Sequence, residues 1–395
     1  MIAAHVAWDQ RFTAYDFGLG HPMHPMRLEL TQQLCQQLGL FDHQDVVVRP
    51  SRPADVAALA TVHTDDFIAT VQALSADPGS AHGQMGLGDS DTPAFAGMHE
   101  ASALAVGATI DCCRAVWDGA AQHAVNIAGG LHHAMPGRAS GFCVYNDAAV
   151  AIRDLLARGA QRVAYIDLDV HHGDGVETVF WNDPRVLTVS LHQSGQTLFP
   201  GTGSPRDTGG SRAMDSAVNV ALPPGTDDAG WLRAYQAVVP HVVGAFAPEI
   251  IVSQHGCDSH YADPLAHLDL TIDGMHAAYN WVHELAHRVS DGRWVALGGG
   301  GYELVEVVPR AWAHVIGIAG HRPVRLTEPV PPAWREMVQK VCGAAAPVAM
   351  GDRGGAAIHY GAWEDGYQPE DPVDMAIMAT RMSVFPGLGL DPYFD

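Results

Sequence analysis

The chain has 395 residues, 47% of them apolar, with 22 Lys and Arg against 44 Asp and Glu, for a formal charge of −22. That length and apolar share support a large buried core, while so acidic a surface repels phosphate backbones and argues against direct nucleic-acid binding; it would attract cationic groups such as lysine-rich segments or polyamines. There is no apolar run of about eighteen residues to span a membrane, and the six cysteines (35, 112, 113, 143, 257, 342) form no CxxC pair, so reduced thiols are expected, not a disulfide framework or a thiolate zinc site.

In chain order, the opening MIAAHVAWDQ lacks the basic region and apolar core of a leader, so a cytoplasmic protein is expected. Helices are predicted over 26–39 and 98–118, then a strand HAVNIAG (123–129), a helix over 146–158, and a strand RVAYIDLDV (162–170). Strands at 185–192 and 217–222 follow, then a helix at 228–245, a strand EIIVSQHG (249–256), a helix at 273–289, a strand RWVALGGG (293–300) and a helix at 304–318. The strands are rich in Val and Ile and almost uninterrupted, as strands buried on both faces are. The alternation predicts a three-layer α/β/α domain over 1–320 with a mostly parallel sheet. Beyond it, HRPVRLTEPVPP and an Ala-, Gly- and Pro-rich tail lose the pattern, so 321–395 is expected to be a C-terminal extension packed on the main domain, not a second catalytic unit.

In such sheets ligands sit beyond the carboxyl ends of the strands. Polar clusters fall at four such ends: GGLHH after 123–129, DLDVHHGD at the end of 162–170, QHGCDSH at the end of 249–256, and GGGGY at the end of 293–300. One convergent site is therefore expected. In YIDLDVHHGDGVE (165–177), strand alternation puts Asp167, Asp169 and His171 on one face, a frustrated set without a cation. With a divalent metal, Asp169 and His171 become oxygen and nitrogen ligands, Asp258 supplies the third, and a position stays open for water. The competing reading has Asp167 and Asp169 capping the next helix, with Asp174 as a further cap and the histidines hydrogen-bonded in the core. The adjacent His132 and His133 can divide proton transfer if Asp167 and Asp174 hold their other ring nitrogens. Tyr302, set by four glycines, can donate to an oxyanion; GGGGY lacks the Lys and Ser/Thr of a phosphate-binding P-loop. Phe142, after Gly141, reads as a pocket wall or as core.

GGLHHA, SGFCVYND, YIDLDVHHGDGVE, VSLH…FPGTG, QHGCDSH and LGGGGY occur in the order seen in the arginase–deacetylase superfamily. Over about residues 20–320 the chain resembles its zinc-dependent histone deacetylase branch. HPMHPMRLEL, DTPAFAGMHEASA and QHGCDSHYADPLAHL are most similar to the bacterial acetoin-utilisation (AcuC-like) deacetylases. The resemblance implies the arginase–deacetylase fold and hydrolysis of N-ε-acetyl-lysine to lysine and acetate. The alternatives are an acetylpolyamine or other small-molecule amidohydrolase and, in another class, a non-catalytic acetyl-lysine binder.

Carried over position by position, the resemblance makes Asp169, His171 and Asp258 the ligands of Zn2+, with Fe2+ the alternative for the same donors. It makes His132 and His133 the histidine pair, with His133 the general base and acid, Asp167 and Asp174 their hydrogen-bond partners, and Tyr302 the group that polarises the carbonyl. Phe142 and Phe199 would wall a tunnel for the lysine chain, with Gly141, Leu265 and Gly300 beside it. Asp91 of GDSDTP would orient the substrate backbone, although Asp89 lies two positions away. A structural K+ would take Asp167, Asp169, His171, Ser190 and Leu191, several through carbonyls, and Arg27 would line an internal cavity. The implied partner is an acetylated lysine of a protein substrate, acetyl-CoA synthetase being the one the resemblance suggests, with no nucleic acid and no membrane; oligomeric state stays open. Two departures stand out. Leu198 replaces the first of two aromatics common in relatives, and His255 and Cys257 flank the third ligand where eukaryotic relatives usually have smaller apolar residues.

Overall fold

The computed structural model describes residues 2–395. Its strands are β1 (Ile2–Ala7), β2 (Val46–Arg49), β3 (Ala121–Asn126), β4 (Val163–Asp167), β5 (Val186–Gln193), β6 (Ala217–Leu222), β7 (Ile250–Gln254) and β8 (Trp294–Leu297). They form one eight-stranded sheet in the order β2-β1-β3-β8-β7-β4-β5-β6, and each neighbouring pair is parallel. The helices are α1 (Met26–Gln37), α2 (Val56–Leu59), α3 (Asp65–Ala76), α4 (Met98–Trp117), α5 (Asp147–Ala157), α6 (Asp174–Phe180), α7 (Asp228–Phe246), α8 (Ile272–Val289), α9 (Val308–Ala319), α10 (Pro332–Cys342) and α11 (Pro372–Val384). Packing α3, α4 and α5 side by side makes one helical layer, and α1, α9, α8 and α7 make the other. The result is the three-layer α/β/α architecture.

Coverage on both faces explains the strand sequences. Every residue of β4 (VAYID), β5 (VLTVSLHQ) and β7 (IIVSQ) is buried, which demands near-continuous apolar runs. The predicted strands lie where expected, but three that carry the polar clusters stop sooner: β4 ends at Asp167, β7 at Gln254 and β8 at Leu297. Asp169 and His171 therefore sit on the loop after β4, not on a strand face, and their convergence comes from the loop's turn. Six elements were not anticipated, among them α2 and α3 between the first two predicted helices. β1 carries His5 inside its apolar run, β2 has only four residues, and α10 and α11 lie in the segment whose composition looked irregular.

The sheet order positions the site. β3, β8, β7 and β4 are consecutive neighbours, so the four clusters that follow them meet at the middle of the sheet. The register aligns Asn126 with Leu297, Leu297 with Gln254, and Gln254 with Asp167, so the strand ends lie level.

Residues 321–395 cover the outside of this layer structure. The buried Trp334 of α10 donates its indole N–H to the Leu30 carbonyl of α1 at 3.0 Å. α11 packs beside the edge strand β6 and α7, and Thr380 donates to the Asn219 carbonyl at 2.6 Å. A buried Arg233–Asp374 pair at 2.6 Å ties α11 to α7. Covering β6 removes an exposed sheet edge that could template aggregation.

Candidate active site

The loop after β3 turns on Asn146 and Asp147, at the start of α5. Asp147 accepts the Gly130 and Leu131 N–H groups at 3.0 and 2.7 Å, and the Asn146 amide donates to the His132 and Ala134 carbonyls at 3.2 and 3.0 Å. These bonds hold His132 and His133 inward, both buried, with their Nε2 atoms 3.0 Å apart. His132 Nδ1 meets Asp167 at 2.7 Å and His133 Nδ1 meets Asp174 at 2.7 Å. A carboxylate can only accept, so Nδ1 carries the proton on each ring and Nε2 faces the site. Asp174 is the first residue of α6, whose N-cap is Gly173 without a side-chain cap bond. The capping reading fails there because the carboxylate has turned to His133.

The two rings differ in electrostatics. Burial works against charge on His132, but Asp167 and Asp169 outweigh it and push the group up to about 9. Burial, reinforced by the neighbouring His132, pushes His133 down to about 4 despite Asp174. A cation on Asp169 would remove that carboxylate's share from His132 and leave that of Asp167.

Asp169, His171 and Asp258 converge, with one ligand atom from each within 4.8 Å of the others. His171 Nδ1 is 3.1 Å from Asp169 Oδ1 and 3.1 Å from Asp258 Oδ2. Both carboxylates are fully buried, and Asp258 is pushed up to about 6 by burial and by the adjacent Asp169. Two buried carboxylates against one imidazole need a cation. Space has been kept for this arrangement: a Cβ at Gly300 would lie 2.0 Å from Asp258 Oδ2. The donor set of two carboxylate oxygens and one imidazole nitrogen fits a divalent transition metal. The outer oxygen of Asp169 is fixed by the Gln254 amide at 2.6 Å and the Gly300 N–H at 2.8 Å.

Tyr302 is half-buried, and its backbone N–H donates to Asp263 at 2.8 Å. The other oxygen of Asp263 accepts the Leu265 N–H at 3.0 Å, so one carboxylate locks Tyr302 and the Leu265 loop together. Burial, then the Asp258 and Asp169 carboxylates, push the phenol well above its ordinary value, so it stays a neutral donor. Arg27 fastens the glycine loop from behind, donating to the Gly299 and Gly301 carbonyls at 3.0 Å each. Its guanidinium faces the Trp312 ring at 5.2 Å, and it lines a cavity that shares Met23 and Leu131 with the catalytic pocket.

At the mouth, Phe142 stands edge-on to Tyr302 with centroids 5.6 Å apart, and Phe199 edge-on to His133 at 5.0 Å. Phe142 holds a left-handed φ of 65°, uncommon for a bulky residue. Tyr15 secures it by donating to the Phe142 carbonyl at 2.8 Å and accepting the Val144 N–H at 3.1 Å. Gly141 is required: a Cβ there would sit 2.5 Å from the His133 ring. Asp91, exposed at the rim, accepts the Gly141 N–H at 3.1 Å, whereas Asp89 turns back onto its own loop at Asp91 and Thr92. Leu198 is half-buried beside the exposed Phe199. Ser190, buried, lies level with Asp167 in the β4–β5 register, with Leu191 next along β5. His255 is buried with both ring nitrogens unpaired, and its backbone carbonyl accepts the Trp312 indole N–H at 3.0 Å.

Sequence reasoning missed Tyr165, Gln254 and Asp263. Tyr165 donates its hydroxyl to Asp167 Oδ2 at 2.9 Å, the atom that also takes His132. A tyrosine inside a strand buried on both faces must find such an acceptor, and Asp167 two positions on was the available signal.

Residues 21–319 match the family described as histone deacetylase domain. The chain is 42% identical over 344 residues to the acetoin utilization protein AcuC of Bacillus subtilis, covering 86% of this chain and 88% of that protein. It is 36% identical over 347 residues to AcuC of Staphylococcus xylosus, with the same coverages of 86% and 88%. For AcuC of Staphylococcus aureus strain MRSA252 the identity is 38% over 310 residues, 78% of this chain and 79% of that protein.

Proposed function

The chain belongs to the histone deacetylase family, and we propose that it hydrolyses N-ε-acetyl-lysine in proteins to lysine and acetate. The observation that carries the reading is the pairing of each histidine with its own carboxylate beside a three-ligand metal cluster, with Tyr302 facing the same pocket. Asp169, His171 and Asp258 would hold Zn2+, or Fe2+, which lowers the pKa of a water and draws electron density from a carbonyl.

The chain's own groups then divide the work. His133 is neutral near pH 7 and its Nδ1–H is committed to Asp174, so Nε2 takes a proton from the attacking water. His132, held by Asp167, is the neighbouring imidazole, with its Nε2 3.0 Å from that of His133. Tyr302 donates its hydroxyl hydrogen to the carbonyl oxygen as negative charge develops there. The C–N bond breaks as His133 returns the proton to the leaving amine, which gives acetate and lysine. Phe142, Phe199 and Gly141 enclose the alkyl chain and exclude water, and Asp91 at the rim orients the substrate backbone. A K+ near Asp167, Asp169, His171, Ser190 and Leu191 would steady the same loop.

The experiment is acetate release by the zinc-loaded protein from an acetyl-lysine peptide and from an acetylpolyamine at equal concentration. Faster release from the peptide supports the proposal. Preference for the polyamine reassigns the enzyme to small molecules, and no release from either overturns acetyl hydrolysis.

A further inference from the structure

At the opposite end of the sheet, four histidines converge that the reaction does not use. His123 lies in β3 opposite Trp294, the first residue of β8; His283 and His287 lie one turn apart near the end of α8; His321 follows α9. Their Nε2 atoms form a chain: His321 to His123 at 2.9 Å, His123 to His283 at 3.2 Å, and His283 to His287 at 3.2 Å. One ligand atom from each lies within 4.8 Å of all the others.

Protons alone satisfy this chain poorly. Each Nε2 is either a single donor or a single acceptor. The two inner atoms, on His123 and His283, each face two partners, so even with donors and acceptors alternating along the chain one lone pair and one N–H must each be shared between two contacts. A single cation takes all four lone pairs at once. Bonds of about 2.0–2.1 Å to a tetrahedral zinc place the nitrogens about 3.3 Å apart, close to the three short contacts here. His123 is buried, and burial followed by the neighbouring imidazoles pushes it down to about 2; the same two causes push His283 to about 4. His123 and His283 are thus neutral at physiological pH, the form that binds metal. His321 holds a left-handed φ of 54°, uncommon for a non-glycine residue, while presenting its ring to the cluster.

We propose that His123, His283, His287 and His321 form a second metal site, separate from the catalytic cluster, for a borderline divalent cation such as Zn2+. All-imidazole donors select Zn2+, Co2+, Ni2+ or Cu2+ over Mg2+ and Ca2+, which need oxygen. Four protein ligands leave no open position, so the site is structural. It clamps a strand of the sheet, a helix of one layer and the turn where α9 leads into the C-terminal segment.

The test uses tag-free full-length protein, loaded with Zn2+, desalted, and assayed for metal by mass spectrometry. His283→Ala/His287→Ala alters two solvent-accessible positions with a good helix former, so the fold and acetate release are retained. The expected contents are two zinc ions per chain in the wild type, one in the double variant and one in Asp258→Ala. Zinc should also raise the melting temperature of Asp258→Ala and not that of a triple variant lacking all three side chains. Equal zinc in the wild type and the His283→Ala/His287→Ala variant overturns the proposal. A wild type with one zinc that Asp258→Ala retains and the double variant loses upholds it while counting against the catalytic metal.

Discussion

The two ends of one sheet gather histidines in opposite ways. At the carboxyl ends of β3 and β4, His132, His133 and His171 each meet a carboxylate, at 2.7, 2.7 and 3.1 Å. At the amino end of β8, the Nε2 atoms of His123, His283, His287 and His321 meet one another. For His132 and His133 a carboxylate on Nδ1 fixes the imidazole's tautomer and leaves Nε2 for proton transfer. Imidazoles grouped without one offer lone pairs to a shared borderline cation. The same side chain is made reactive or inert by what its second nitrogen touches.

The largest effect that would break this comparison is at His133. His133→Ala should lower kcat for acetate release by about 10²–10⁴-fold, measured on zinc-loaded protein. A loss under tenfold would remove it from proton transfer. Tyr302→Phe should lower kcat by about 10²–10³-fold while leaving zinc content unchanged. Undiminished turnover there would end the oxyanion assignment.

Tyr165→Phe sharpens the comparison, because it touches only the carboxylate of the His132 pair. Removing its hydrogen bond to Asp167 should cost about 10–100-fold in activity, on the scale of lost outer-shell partners. Zinc content and melting temperature should change little; an unaltered kcat would show that Asp167 needs no second donor.

Tyr165 also marks the limit of what the sequence discloses. GGLHH, DLDVHHGD, QHGCDSH and GGGGY are legible because polar residues at the ends of apolar strands have no other use. Their convergence is not, because it rests on β3, β8, β7 and β4 being neighbours, an order unrelated to their sequence order. Asp263 was invisible because its partners are backbone N–H groups, one of them 39 positions away. Of the histidine tetrad, only His283 and His287 share a helical spacing; His123 and His321 are 198 positions apart. The Asp91–Asp89 ambiguity likewise needed the Gly141 N–H to decide it.

The smallest effect comes from a control for the comparison: a carboxylate–histidine pair with no chemistry to perform. Asp352, in the C-terminal segment, meets His260 Nε2 at 2.9 Å and Arg310 at 2.7 Å, and accepts the Ile272 N–H at 2.8 Å. Burial opposes its charge, but His260, Arg310 and the Ile272 N–H prevail and hold its carboxyl well below the ordinary range. A carboxyl depressed in the folded state contributes stability that is complete above its unfolded pKa of about 3.9 and fades as pH falls toward the folded value. Asp352→Asn should therefore destabilise the protein by about 1.5 kcal/mol at pH 7, the lower end for a charged hydrogen bond. The difference from wild type should hold down to about pH 5 and shrink below about pH 4. Denaturant unfolding of both proteins at pH 7 and pH 3.5 checks it. A difference that ignores pH would mean that the side chain's shape, not its charge, docks the C-terminal segment. Acetate release at pH 7 should be unchanged in either case, since carboxylate pairing becomes catalytic only where the histidine's free nitrogen faces the substrate.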